Sequence, residues 1–100
     1  ALSAAKGKGL WGIGVDADQS YLGSYILCSA IKKVDQAVFL TVQKLKGGKW
    51  AGGATTTFGL KENGAGIAGI NKAVPASVKA KVNAITAQIK AGKIKIPNTV

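Results

Sequence analysis

An apolar run that leads into two aspartates constrains this chain more than any other feature. Leu10 to Val15 contains only apolar residues and glycine, and Asp16 and Asp18 follow it closely. A strand with a near-continuous apolar sequence is usually buried on both faces, as in a parallel α/β sheet. Ligands of open α/β sheets bind beyond the carboxyl ends of the strands. The run therefore predicts an inner parallel strand over residues 10–15, with both carboxylates at the edge where a polar ligand is met.

Helical patterns occupy three other parts of the chain. Residues 1–8 fit the tail of a helix that ends at a glycine. An amphipathic helix is expected over about Ala30 to Leu45, and Gly47 follows it as a stop signal. A further helix is expected to open at Pro75, because proline suits the first helical turn. The apolar stripe of the longer helix is formed by Ile31, Val34, Val38, Thr41, Val42 and Leu45.

Strand patterns are weaker and depend on turn residues. Trp50 to Leu60 is rich in β-forming threonine, which predicts a strand. Asn63 and Gly64 form the dipeptide most typical of a hairpin turn, so Ala65 to Ile70 is expected to return as a short extended segment. Lys93 to Ile96 alternates in the manner of a short edge strand.

The charge of the chain is strongly positive but is carried by lysine alone. The net charge is +10, with 14 lysines, 4 acidic residues and no arginine. Proteins that read nucleic acids rely on arginine for bidentate contacts to phosphate and guanine. Scattered lysine favours a solvated surface, and no nucleic-acid partner is expected. A small basic RNA-binding module is the alternative, and it predicts a steep salt dependence of binding.

Histidine is absent and Cys28 is the single cysteine, which restricts the chemistry of this segment. Zinc sites of the usual kind and nucleophile–histidine dyads within the chain are excluded. An enzyme that uses Asp16 and Asp18 as paired carboxylates is a second alternative, since residues two apart on an extended chain share a face. No other catalytic residue type accompanies them, so we expect no catalytic residues, no metal and no cofactor.

The expected elements are too few to bury the first strand. A parallel neighbour needs a crossover connection and further strands. We therefore expect the rest of the sheet to lie upstream, with these residues as a C-terminal segment. Unpaired strand edges and exposed apolar surface invite association, so the isolated chain is expected to be oligomeric or marginally stable.

Four motifs in order resemble those of one protein family. They are GVDADQ, LCSAIKKVDQAVF, GGATTTFGLKENGAG and a proline-opened helix that ends in IKAGKIKIP. Together, from about Leu10 to Pro97, they are similar to the C-terminal part of the basic membrane lipoprotein family. That family is the purine-nucleoside-receptor type of ABC-transporter substrate-binding protein. The resemblance implies a partial type I periplasmic-binding-protein fold with three-layer αβα lobes and hinge crossings near residues 24–30 and 50–60.

The resemblance also implies ligand-binding residues. Asp16 corresponds to the family's aspartate that binds the ribose hydroxyls of a nucleoside, a purine nucleoside being expected. Lys32 is the best match to a lysine on the ribose side, with Lys33 directly beside it. Asp18 is a third candidate, whose alternative role is to cap the next turn. Cys28 stands where the family usually has threonine, which puts a hydroxyl contact there in doubt.

The resemblance to a transport protein also implies partners and a cellular location. They are the ABC permease and an upstream lobe of the same protein. The protein is expected to be extracytoplasmic, as a cell-membrane lipoprotein or in the periplasm. Its role is expected to be binding rather than catalysis.

Overall fold

A short mixed sheet organises the chain. The computed structural model describes residues 1–97. Its elements, in chain order, are helix α1 (Leu2–Gly7), strand β1 (Gly12–Asp16), a 3₁₀ turn (Ser20–Leu22), strand β2 (Ile26–Lys32), helix α2 (Val34–Lys46), strand β3 (Ala65–Ala68) and helix α3 (Ala76–Lys90). The expected α/β class is confirmed.

The strand order in the sheet is β1-β2-β3. β1 runs parallel to β2, with Ile13 opposite Cys28 and Asp16 opposite Ile31. β3 runs antiparallel to β2, with Ser29 opposite Ala68. The two parallel strands are joined by residues 17–25, which contain only the 3₁₀ turn rather than a crossover helix. The connection runs from the carboxyl end of β1 back to the amino end of β2, as parallel pairing requires.

β1 is an edge strand within the described residues, which corrects the expectation of an inner strand. It pairs with β2 alone there, and only one of its faces is covered. Gly12 and Gly14 are buried, whereas Ile13 and Val15 are 55% and 63% exposed. The period-2 alternation of a strand places the two glycines on one face and the two branched residues on the other.

β2 is not among the elements predicted from the sequence, and the second helix begins later than predicted. Ile31 lies on β2, and α2 begins at Val34. Ile31 and Val34 do have helical spacing, but short apolar runs fit a strand as well as a helix. Pairing with β1 takes residues 26–32 into the sheet, and this long-range contact is not encoded in local periodicity.

Two predicted strands are wrong. Residues 50–60 form no strand, although they carry threonines, because strand propensity acts only where a partner strand is available. Lys93 to Ile96 are likewise irregular. Asn63 does form the expected tight turn, with a φ of 57°. The strand after that turn, β3, pairs with β2 instead of forming a hairpin with residues 50–60.

The core of the described part is small. Among residues 1–97 the side chains exposed by less than 2% are Ile26 and Ser29. The radius of gyration is 16.6 Å and the longest dimension is 51 Å, whereas a compact chain of this size has a radius of gyration of about 13 Å. No helix within the described residues is long and apolar enough to cross a membrane.

Candidate functional site

Asp16 and Lys32 meet at one edge of the sheet. Each is the last residue of its strand, β1 or β2. Because the two strands are parallel, their carboxyl ends lie at the same edge. The Lys32 Nζ atom lies 3.0 Å from Asp16 Oδ1, and the two side chains are 71% and 68% exposed. Two residues that were predicted separately from the sequence as ligand contacts therefore lie beside each other.

The backbone at Asp16 has an uncommon conformation. Its φ is 74°, and the amide of Ala17 donates to the carbonyl oxygen of Val15 over 3.1 Å. A three-residue turn with this bond and a positive φ at its centre is the rare, strained form of the γ-turn. Aspartate tolerates positive φ better than most residues, but such conformations still cost about 1–3 kcal/mol and persist only where the surroundings enforce them.

Two side-chain contacts hold this turn. The amide of Val15 donates to Gln19 Oε1 over 3.0 Å. The amide of Gln19 donates to Ser29 Oγ over 3.0 Å, and Ser29 is fully buried on β2. Gly14 lies beneath both side chains, and a Cβ atom there would lie 2.8 Å from Gln19 Oε1. We call Gln19 and Ser29 the turn latch.

Asp18 has a structural role in this geometry. Its Oδ1 accepts a hydrogen bond of 3.0 Å from the amide of Ser20, the first residue of the 3₁₀ turn. The Asp18 carboxylate also packs against Gly69, just beyond β3, where a Cβ atom would collide with it. The capping role considered for Asp18 is therefore present, and a ligand contact by this residue stays a prediction.

The side chain of Lys33 binds a different residue from the side chain of Lys32. It is half-buried, and its Nζ donates to Asn63 Oδ1 over 2.8 Å. Its amide donates to the carbonyl oxygen of Gly64, also over 2.8 Å. Lys33 therefore fastens the turn before β3 to the end of β2, while Lys32 lies beside Asp16. Lys32 is the lysine available to a ligand at this edge.

The Asp16–Lys32 pair suits recognition of a polar solute. A carboxylate offers several acceptor sites and an ammonium group three donors. One carboxylate can accept from two neighbouring hydroxyl groups of a ligand, and such charge-assisted hydrogen bonds are stronger than neutral ones. The arrangement has the chemistry to receive groups that both donate and accept hydrogen bonds.

A separate cavity of about 720 Å³ lies between β3 and α3. Its lining is mainly aliphatic and includes Ile67, Ile85 and Ile89, but neither Asp16 nor Lys32. This cavity is an incompletely filled space between a sheet and a helix. It has no part in the site at the strand ends.

Asp16 and Lys32 were predicted from the sequence as ligand contacts, which stays a prediction, whereas the contacts of the turn latch were not predicted. Gln19 and Ser29 belong to the motifs GVDADQ and LCSAIKK, so the signal was present. Their roles were hidden because residues ten positions apart meet only after β1 and β2 pair.

The chain matches a known protein family and has relatives in sequence. The family model described as ABC transporter substrate-binding protein PnrA-like matches residues 1–100. An "ABC transporter nucleoside-binding protein BmpA" of Lactococcus lactis subsp. cremoris is 36% identical over 110 residues, which cover 98% of this chain. The chain spans 31% of that relative's length.

Two solved structures resemble the fold. A crystal structure described as a transcriptional activator of the comK gene from Bacillus halodurans matches 97% of this chain and 34% of its own, with a TM-score of 0.83 and 23% identity. An ABC-transporter solute-binding protein from Aeropyrum pernix K1 matches 99% of this chain and 36% of its own, with a TM-score of 0.68 and 21% identity. At these identities the likeness supports a partial periplasmic-binding-protein fold. The match over all 100 residues shows that the chain belongs to the PnrA-like family of ABC-transporter substrate-binding proteins.

Proposed function

We propose that the full-length protein carrying this chain is the solute-binding component of an ABC importer and that its ligand is a nucleoside. The observation that carries the proposal is the Asp16–Lys32 pair, exposed at the carboxyl edge of the sheet on a strained turn. Strained backbone clusters at ligand sites, where it orients a group. Family membership and the nucleoside-binding name of the Lactococcus relative support the same assignment.

Asp16 is proposed to accept hydrogen bonds from the two ribose hydroxyl groups. A cis-diol presents two donors at a spacing that one carboxylate can receive. Lys32 then donates to a ribose oxygen, so the 3.0 Å ion pair loosens or is shared when the sugar enters. The base is proposed to be held by the upstream lobe, which closes over the ligand by hinge motion. Hinge crossings near residues 24–30 and 50–60 remain a prediction.

The proposed partners follow from import. They are the ABC permease, an upstream lobe of the same protein and a purine nucleoside. The protein is proposed to act outside the cytoplasm as a membrane lipoprotein or in the periplasm, and to release its ligand unchanged. Self-association is proposed for the isolated chain alone.

Calorimetric titration of the full-length protein with adenosine, guanosine and a 2′,3′-dideoxy analogue tests the assignment. Hydrogen bonds to a charged group contribute about 1.5–3 kcal/mol, so Asp16→Ala is expected to lower affinity for the ribonucleosides about ten- to a hundredfold. Asp16→Asn is expected to be milder, because asparagine keeps an acceptor oxygen and also tolerates positive φ.

Asp35→Ala is the matched control, since Asp35 is an exposed carboxylate in the first turn of α2. It is expected to bind like the parent protein. Equal affinity for ribose and dideoxy ligands, or parental affinity in Asp16→Ala, would contradict the proposal. Salt-sensitive binding of RNA without nucleoside binding would favour the basic RNA-binding alternative instead.

A further inference from the structure

We propose that Gln19 and Ser29, the turn latch, are positioning residues that hold the Asp16 carboxylate in its ligand-binding orientation. This inference rests on the proposed role of Asp16 and names the groups through which the fold enforces it. Neither side chain needs to touch the ligand. Each acts through the backbone on either side of Asp16.

The geometry on the strand side of Asp16 supports this role. Both backbone polar groups of Val15 bond within the turn: its amide donates to Gln19 Oε1 and its carbonyl oxygen accepts from the amide of Ala17. The second bond ties the two peptide groups that flank Asp16 to each other, and Gln19 holds the preceding peptide group, between Gly14 and Val15. Because a φ of 74° is costly, the turn would relax toward an ordinary extended conformation if the Gln19 contact were lost.

Ser29 anchors the loop to the sheet. It lies opposite Gly14 in the β1–β2 register and is fully buried. Its Oγ accepts from the amide of Gln19, so the position of the loop is fixed from the middle of β2 rather than from solvent. Within the described residues no buried side-chain nitrogen or oxygen lacks a hydrogen-bond partner, which indicates that this polar contact is fully formed.

Gly14 provides the space for the latch. A Cβ atom there would lie 2.5 Å from Ser29 Oγ and 2.8 Å from Gln19 Oε1, too close for any real contact. A side chain at position 14 would therefore displace both members of the latch. Glycine is therefore required by the latch, and Gly14→Ala is an indirect way to open it.

The first experiment compares two replacements of Gln19 in the full-length protein. Gln19→Met has similar volume but lacks the oxygen acceptor, whereas Gln19→Glu keeps an acceptor at the same place. Because a hydrogen bond is lost and the turn relaxes, Gln19→Met is expected to lower adenosine affinity about five- to thirtyfold, and Gln19→Glu to remain within about threefold of the parent. Gln88→Met, on the exposed surface of α3, is the matched control.

Companion variants test the other parts of the latch. Ser29→Ala and Gly14→Ala are expected to lower affinity by a similar factor to Gln19→Met. Their controls are Ser77→Ala, exposed on α3, and Gly7→Ala, where a Cβ atom meets nothing within 4 Å. Circular dichroism and thermal unfolding identify any variant that fails to fold. The comparison of Gln19→Met with Gln19→Glu then remains decisive, because both replacement side chains are similar in size to glutamine.

A double-mutant cycle and a crystal structure separate positioning from direct contact. In an Asp16→Ala background, where no carboxylate remains to be positioned, Gln19→Met is expected to cost less than about twofold further, because residues that act as a unit are not additive. In the unliganded Gln19→Met protein, the φ of Asp16 is expected to leave the left-handed region, and in Gln19→Glu to stay there.

Two results would contradict the proposed positioning role of the turn latch. One is an Asp16 backbone unchanged in Gln19→Met, and the other is a loss of affinity in Gln19→Glu as large as in Gln19→Met. Failure of the proposed function is distinguishable, because Asp16→Asn and Asp16→Ala would then bind like the parent. The crystallographic φ of Asp16 would still report on the latch.

Discussion

At the scale of residues, Lys32 and Lys33 show how one peptide bond separates two roles. Lys32 is the last residue of β2 and its ammonium group lies at the exposed edge beside Asp16. Lys33 stands between β2 and α2, and its Nζ donates to Asn63 Oδ1 in an exposed hydrogen bond. Successive residues of an extended chain point to opposite sides. The first lysine therefore lies at the proposed ligand edge, paired with Asp16, while the second fastens two segments of the fold.

Alanine replacements of these two lysines are expected to have opposite effects. Lys32→Ala should weaken nucleoside binding while leaving the free energy of unfolding almost unchanged, because exposed ion pairs contribute about 0–1 kcal/mol. Lys33→Ala should leave binding unchanged but lower stability by about 0.5–1.5 kcal/mol, through loss of the hydrogen bond to Asn63. Calorimetric titration and urea unfolding of the full-length protein measure the two effects, and equal losses of affinity would contradict this division.

At the scale of elements, Asn71 connects the segment after β3 to the beginning of β2. Its Nδ2 donates to the carbonyl oxygens of Ser24 and Ile26 over 2.9 and 2.8 Å. Its backbone amide donates to the carbonyl oxygen of Leu27, and its Oδ1 accepts from Ala73. One side chain thereby satisfies backbone groups on both sides of the strand entrance. The helix ends are marked by local residues instead. Helix α2 ends directly before Gly47, and α3 begins directly after Pro75 and ends two residues before Gly92.

Asn71→Ala is expected to destabilise the full-length protein by about 1–3 kcal/mol, because it removes the side-chain donor from the partly buried carbonyl oxygen of Ile26. Asn71→Asp should also be destabilising, since aspartate keeps the acceptor for Ala73 but has no donor for the two carbonyl groups. Asn83→Ala, at an exposed position of α3, is the control and should change stability little. Urea unfolding midpoints measure the difference; equal midpoints for the Asn71 and Asn83 variants would contradict the prediction.

At the scale of the whole molecule, much apolar surface lies in solvent within the described residues. On α2, Val34, Val38, Phe39, Val42 and Leu45 are each at least 56% exposed. The predicted apolar stripe is confirmed only in part: Val34, Val38, Val42 and Leu45 lie on α2 but are exposed, and Ile31 lies on β2. Ile13 and Val15 are also exposed, on the open face of β1. Exposed apolar surface in this amount is typical of interaction sites or of parts that pack against other segments.

The isolated chain of residues 1–100 is therefore expected to be oligomeric or marginally stable. Multi-angle light scattering should show association, or thermal unfolding should be broad and begin at low temperature. The full-length protein is the control and should unfold cooperatively at higher temperature. A monomeric isolated chain with a sharp, high-temperature transition would contradict this prediction.

The sequence by itself determined the features that depend on neighbouring residues. Most of the apolar run before Asp16 forms strand β1. Glycine and proline mark the ends of α2 and α3, and Asn63 lies in a turn with a positive φ. Four motifs in order also identified the family that the comparison over all 100 residues confirms. These features are local because propensity, periodicity and turn chemistry act over a few residues.

Only the tertiary structure decided which segments pair. β2 was assigned partly to a helix, residues 50–60 were predicted as a strand, and the latch between Gln19 and Ser29 was not foreseen. Each of these depends on contacts between residues distant in sequence, and strand formation is governed by the available partner more than by propensity. The meeting of Asp16 with Lys32 is of the same kind, because two exposed side chains become one site only when β1 and β2 run parallel with their ends at the same edge.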